Sequence, residues 1–450
     1  MNILIVTDVY PPELRSSAEL MRELALALCK KKHSVSVVTS SSKNTVVEKD
    51  GIRVIRVKTL PHHDVSFVLK GLSWLLMPCL FWNAIKKHCK KIDVAIVHSP
   101  PLPLAWVAEQ AKKKYKATYI LNVQDIFPQN AIDLGVLKNK FIIKYFERME
   151  RHAYASCDAI VTPSREHEAY LAEKRGVIAE GYPSSSLDEL GTRSAPQLRK
   201  LSGSKRLFSL IHNNLATSGE VFVGENKITV IPHWVNMEPF EKAENTGKFR
   251  KQFGLENKFI IFFGGVIGPS QGLDILLRLG AKLQKTHPDI VFLVCGDGSE
   301  KKRLMAETRD PISLGDRIST IRNVRFENWV SKEKYPALLK EVNIGLISLT
   351  SKNTTPAVPA KLMGYLAAGI PALGFLHKKS EAHNIIKEAE CGTSAIYEDE
   401  DACLKALLFM YDNKARLREW GENGLRYAEK NLTPEVSVKK WEGVIQRWGD

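Results

Sequence analysis

Three glycines in the stretch FFGGVIGPSQGLDILL, Gly264, Gly265 and Gly268, follow an apolar run and precede a helix expected to begin near Leu273. Backbone amides in such a turn can approach a diphosphate at a helix amino end, where the dipole favours negative charge. Ser270 and Gln271 complete the turn. No Lys-Ser/Thr follows the last glycine, so it is not a Walker A loop. Nor does it open the chain's first strand-helix unit with a suitably placed acidic residue, as a dinucleotide fingerprint prefers. The spacing alone also fits an ordinary turn. A diphosphate would need cations, and two are candidates. Lys361, in VPAKL after Thr355 and two residues beyond Pro359, would project from a helix's first turn, where a cation opposes the macrodipole unless an anion binds nearby. A surface lysine is the plainer alternative. Arg15, with Ser16 and Ser17, stands in the first strand-helix turn and can pair bidentately with phosphate.

Other polar groups stand at strand ends. Asp125, after TYILNV, could hold or deprotonate a hydroxyl. His98 ends the run IDVAIVH, where a lone histidine is equally readable as structural. Gly296, Asp297 and Gly298 form a tight turn after an apolar strand, and Asp297 could equally cap the helix SEKKRLM. The acidic run at 398–401 immediately precedes a helical stretch, where dipole complementation is a better account than metal binding. No metal ligand set is expected.

The elements that must position these groups alternate. NILIVTD, SVSVVTS, IRVIRV, VAIVHS, TYILNV and AIVTPS read as strands with helices between them, one of them from Ser17 to Lys32. The pattern restarts with KITVIPH, KFIIFFGG, IVFLVCGDG, VRFENW, IGLISL and PALGF. Alternation implies parallel, doubly wound sheets with ligands at the carboxyl ends of the strands. The expected fold is therefore α/β, with two Rossmann-like domains facing a cleft that is the default active site. The expected boundaries are 1–177 for the first domain and 226–429 for the second, with a helix at about 430–450 packing back on the first. Residues 178–225, rich in Ser, Gly and Leu with weak periodicity, read as a surface insertion.

Bulk properties exclude several classes. A chain of 450 residues needs more than one domain. Seven scattered cysteines with no CxxC pair argue against a disulfide framework or zinc cluster and suit a reducing compartment. The amino end lacks a basic region and cleavage site, so it reads as a strand and not a signal peptide. The net charge of +15 carries no zinc finger, RNP-like strand or arginine-rich arm that would indicate nucleic acid. Residues 65–85 are rich in Phe, Leu and Trp, and their uncharged part, interrupted by Pro78, is too short to span a bilayer. Trp74, Phe81 and Trp82, followed by the lysines of KKHCKK, could lie on an anionic membrane surface; a core helix pair with a solvated lysine face is the alternative.

At YPPE, NVQDIFPQNAIDLG, DAIVTPS, KITVIPHWVN, GGVIGPSQGLDILL, VCGDGSE and VPAKLMGYLAAGIP, the chain resembles the GT-B glycosyltransferases of family 4, close to bacterial enzymes of colanic acid, O-antigen and capsule synthesis. The resemblance covers nearly the whole chain outside the insertion. It implies a nucleotide-sugar donor, usually a uridine nucleotide, bound mainly by the second domain. It also implies transfer with retention, no metal or other cofactor, and Asn328 and Val330 offering backbone hydrogen bonds to the base. A lipid-linked saccharide acceptor at the inner face of the cytoplasmic membrane is the corresponding expectation for partner and location. The chain departs from the family at Ser16-Ser17, where relatives often carry paired glycines, and at Ser270-Gln271, where a basic residue is usual. It also has Pro356 and Gly364 where many members carry two glutamates. A nucleotide-sugar epimerase and a non-catalytic nucleotide-sugar binder are the competing expectations.

Overall fold

The computed structural model describes residues 1–13, 15–63, 65–174, 227–309, 320–352 and 354–449, so the expected insertion at 178–225 lies outside the described residues. The chain divides into two compact units. The first comprises Met1–Pro128, Leu137–Ile231 and Lys440–Asp450, and the second Gln129–Val136 and Pro232–Lys439.

The first unit is built on β1 (Asn2–Val6), β2 (Ser34–Ser41), β3 (Thr45–Lys49), β4 (Ile52–Lys58), β5 (Val94–Ser99), β6 (Thr118–Val123), β7 (Ala159–Thr162) and β8 (Ile228–Val230). Their order is β3-β4-β2-β1-β5-β6-β7-β8, with only β3 antiparallel to its neighbour. The second unit carries β9 (Phe259–Gly264), β10 (Ile290–Cys295), β11 (Val324–Glu327), β12 (Ile344–Ser348), β13 (Ala372–Leu376) and β14 (Gly392–Ile396) in the order β11-β10-β9-β12-β13-β14, all parallel. Each sheet therefore contains the 3-2-1-4-5-6 order of a doubly wound fold, and its topological switch point lies beside its own first strand.

The reason for parallel sheets is visible in the strands. VAIVHS, FIIFFG and IVFLVC are buried at every position, as strands covered by helices on both faces must be. Alternate residues of β9 divide between two cores: Ile260 and Phe262 on one face, Phe259, Ile261 and Phe263 on the other.

Four expectations need correction. KITVIPH was assigned to the second domain, but its strand β8 pairs with β7 in register Ile160↔Ile228 and completes the first sheet. Strands β3 and β14 were not expected; β3 is exposed throughout and β14, GTSAI, is mostly half-buried and small or polar, which leaves little apolar pattern to read. The helix Phe67–His88 runs through Pro78 without the expected interruption. Its face is also turned from the expected one: Trp74 and Phe81 are buried, Trp74 meeting Phe127 edge-on at 5.3 Å and Phe127 meeting Phe146 at 5.0 Å. Leu72, Leu75, Leu76 and Leu80 are the exposed residues instead, at helical i, i+3, i+4 and i+8 spacing. No helix among the described residues is long and apolar enough to cross a membrane.

Candidate active site

In the second unit the predicted donor residues come together around the end of β9. The Gly265 N–H donates to the Cys295 carbonyl (2.9 Å) and the Ile267 N–H to the Asp297 carbonyl (2.8 Å), so the turns after β9 and β10 lie backbone against backbone. This contact is why two of the glycines are there. A Cβ at Gly296 would lie 1.8 Å from the Gly265 carbonyl oxygen, and one at Gly298 would lie 2.2 Å from that of Ile267. At Gly264 a Cβ would meet the Phe262 ring at 2.9 Å.

Lys361 stands over this turn. Its helix, Ala360–Ala368, begins after Pro359, which is the N-cap residue and offers no side-chain cap. The lysine Nζ lies 4.6 Å from the centroid of Phe263, and its Cε would be 2.8 Å from a Cβ at Gly265, whose φ is +130°. The glycine therefore leaves the space that the lysine stem fills. Lys361 makes no hydrogen bond or ion pair among the described residues, and burial lowers its ammonium to about 8. Desolvation disfavours the charged form, so this is a cation without an anion. The turn after β12 is tied to the same place. The Thr350 N–H donates to the Ser270 carbonyl (2.9 Å), and Thr355 is buried. The Thr354 N–H and hydroxyl both donate to Asp133 (2.7 and 2.6 Å), which belongs to the same unit.

Two predicted residues are already engaged locally. The Gly268 N–H donates to the Gln271 side chain (3.1 Å), which closes the turn upon itself, and Pro269–Gln271 form a single 3-10 turn before the helix Asp274–Thr286. Asp297 is exposed and accepts from the Gly298 N–H (2.8 Å); it does not cap the helix Lys301–Arg309. Asn328 is exposed and Val330 packs at the edge of a core. Sequence reasoning missed the group that holds them. Lys301, nearly buried, donates to the carbonyls of Gly296 (2.8 Å) and Glu327 (2.9 Å) and to the Asn328 side chain (3.2 Å), pinning the ends of β10 and β11 together. A lysine at a helix start gives no sequence signal of such a role. The acidic run does cap its helix, since Asp399 accepts from the Ala402 N–H (2.9 Å) and Glu400 pairs with Arg278 and Lys282.

In the first unit, His98, the penultimate residue of β5, stands near Asp8, just beyond β1. Burial lowers the His98 imidazole while the Asp8 charge opposes that shift. Burial would raise the Asp8 carboxyl, but the His62, His63 and His98 imidazoles outweigh it and hold it at about 2. Asp125 follows β6; burial of its surroundings pushes its carboxyl up, although the carboxylate keeps contact with solvent. The helix Ser16–Lys30 starts at Arg15, which is exposed and is the N-cap residue without a side-chain cap. Ser16 and Ser17 are thus the first residues of the helix. The side chain of Ser16 lies outside the described residues.

Comparison with known proteins agrees with this geometry. Residues 17–181 match the family described as Glycosyl transferase 4-like domain, and residues 245–427 match Glycosyl transferases group 1. The chain is 28% identical over 229 residues to a protein of Escherichia coli (strain K12) named for colanic acid biosynthesis, the glycosyl transferase WcaI. That match takes in 50% of this chain and 53% of the relative. It is 22% identical over 380 residues to the glycosyltransferase WbjE of Pseudomonas aeruginosa, covering 84% of this chain and 80% of the relative. Among solved structures, Anabaena HepE in complex with UDP-glucose superposes with a TM-score of 0.63 at 12% identity, covering 99% of this chain and 100% of that one. With two such sheets and both domain matches in series, this chain is a glycosyltransferase of the GT-B fold.

Proposed function

We propose that the enzyme moves a sugar from a uridine diphosphate sugar to a saccharide hydroxyl carried on a polyprenyl diphosphate, with retention at the anomeric carbon, in surface polysaccharide synthesis. The donor diphosphate lies against the turn 264–268, with Lys361 above it; Asn328 and Val330 receive the base. Lys361 is the observation that carries this reading: a desolvated, unpartnered ammonium held against a glycine turn at the switch point of a parallel sheet. Further support comes from HepE, which holds UDP-glucose on the same fold, and from WcaI, named for colanic acid biosynthesis.

In the step itself, the acceptor oxygen bonds to the anomeric carbon. The carbon–oxygen bond to the diphosphate breaks, and its electron pair leaves with the nucleoside diphosphate. Asp125 takes the acceptor proton, to which its raised carboxyl is suited. Lys361 and Arg15 offset the charge that grows on the leaving group. Incubation with UDP-sugars, with and without a polyprenyl-diphosphate saccharide, tests this. The expected result is transfer only when both are present, with the product's anomeric coupling constant matching that of the donor. Conversion of the donor alone would identify an epimerase, and binding without transfer a non-catalytic binder; either outcome removes the proposal.

The acceptor's lipid places the first unit at the inner face of the cytoplasmic membrane. Support comes from the exposed stripe Leu72, Leu75, Leu76 and Leu80, and from Phe141, Ile142 and Tyr145 among the exposed Lys138, Lys140 and Lys144. Apolar side chains among lysines suit an anionic lipid surface. Changing Leu76 and Leu80 together to Ser is expected to cut binding to anionic vesicles at least tenfold, since each buried leucine contributes about 1.5–3 kcal/mol. Sedimentation with vesicles at two salt concentrations reads the effect; unchanged binding refutes the membrane role.

A further inference from the structure

Just beyond β1, in the first unit, Asp8 meets two adjacent histidines distant from it in sequence. The Asp8 carboxylate oxygen Oδ2 lies 3.5 Å from His62 Nε2 and 3.4 Å from His63 Nε2, and all three ligand atoms lie within 4.8 Å of one another. Asp8 and His62 are almost wholly buried, and His63 is 24% exposed. Neither Nε2 makes a hydrogen bond.

These distances decide between two arrangements. A protonated imidazole against a carboxylate would close to about 2.7–2.9 Å. Ligands about 2.0–2.1 Å from a tetrahedral ion stand about 3.3 Å apart, which is close to the two separations of Asp8 from the histidines. The tautomer agrees. His62 Nδ1 lies 3.4 Å from the Leu60 carbonyl, an acceptor only, so a neutral His62 would carry its proton on Nδ1 and turn the Nε2 lone pair to Asp8. A ligating histidine that donates its second nitrogen to a backbone carbonyl is the usual outer-shell arrangement of metal sites. The support is itself anchored. Leu60 also accepts from Ser73 (2.8 Å), and the Asp8 carbonyl accepts from Ser40 (2.5 Å).

We infer that Asp8, His62 and His63 form a binding site for a divalent transition metal of the zinc class, with a coordination position left open to water or to an oxygen of a bound ligand. Two nitrogens and one carboxylate suit Zn2+ or Co2+. The site stands at the switch point of the first sheet and uses none of the residues assigned to the donor, so it stands or falls independently of the proposed transfer.

Co2+ titration of the chelator-treated full chain tests it. One equivalent should give visible ligand-field bands without the near-ultraviolet thiolate charge-transfer band of a cysteine site, and Zn2+ should displace it. His63→Ala and His62→Ala should each weaken binding at least tenfold. If His62→Ala fails to fold, the wild-type spectrum and His63→Ala, at the more exposed of the two histidines, still decide. Absence of the bands, a thiolate band, or unchanged affinity in His63→Ala overturns the inference.

Discussion

The turns at the two switch points have the same topology and opposite electrostatics. After β1, Asp8 is surrounded by three imidazoles and its ionised form is favoured, so its carboxyl falls to about 2. After β9, the turn is made of backbone, and burial of Lys361 above it, with no anion beside it among the described residues, lowers its ammonium to about 8. Both values are lowered, but they mean different things. For a carboxyl, lowering means that the charge has found partners; for an ammonium it means that the charge lacks them. Asp8 is balanced by side chains of its own unit, whereas Lys361 has no anion beside it among the described residues.

The largest effect expected from this contrast is structural. Gly296→Val would drive a side chain into the Gly265 carbonyl, and a loss of about 3 kcal/mol or more is expected in urea unfolding. Gly265→Ala meets the flexible Lys361 side chain and no backbone, so beyond the backbone strain at φ +130° it should lose less than Gly296→Val while displacing Lys361. Next, Lys361→Ala should cost about a hundredfold in turnover, or about 3 kcal/mol, with nucleotide affinity much less affected. Full activity in single-turnover assays would show that the ammonium is not reserved for the leaving group. A pH profile sharpens the point. The charged lysine is the active form, so kcat/KM for the donor should fall as pH rises through about 8, and Lys361→Arg should remove that limb. The kcat profile should lack it, because a bound diphosphate restores the ammonium. The smallest effect belongs to Arg15→Ala. Arg15 is exposed, so at most about a fivefold rise in donor KM is expected, and it should diminish at high salt.

Much of the fold was legible because buried parallel strands are written as apolar runs. β9 and β10 could be read directly, and so could the helix beginning near Leu273, which starts at Asp274. The glycine turn and Lys361 were legible as separate motifs, but not the fact that the stem of one occupies the space left by the other. The exposed β3 and the half-buried β14 carried too little hydrophobic contrast, and β8 looked like a beginning when it is the last strand of the first sheet. The aromatics of the Phe67–His88 helix misled for a related reason. Composition marks a segment as amphipathic, whereas only packing decides that Trp74 turns inward to Phe127 and that leucines remain outside. Asp8, His62 and His63 were invisible because the sheet order that gathers them is a property of the fold.

The return of residues 440–449 to the first unit has a consequence for biosynthesis. Trp441, Val444 and Ile445 are buried, and the Trp448 carbonyl accepts from Thr118. A ribosome adding roughly 5–20 residues per second makes these residues only after the whole second sheet, tens of seconds behind β7. The amino-terminal unit therefore waits as an unfinished nascent body, with the apolar surface destined for Trp441 open to chaperones, until a segment born after its neighbour arrives to close it.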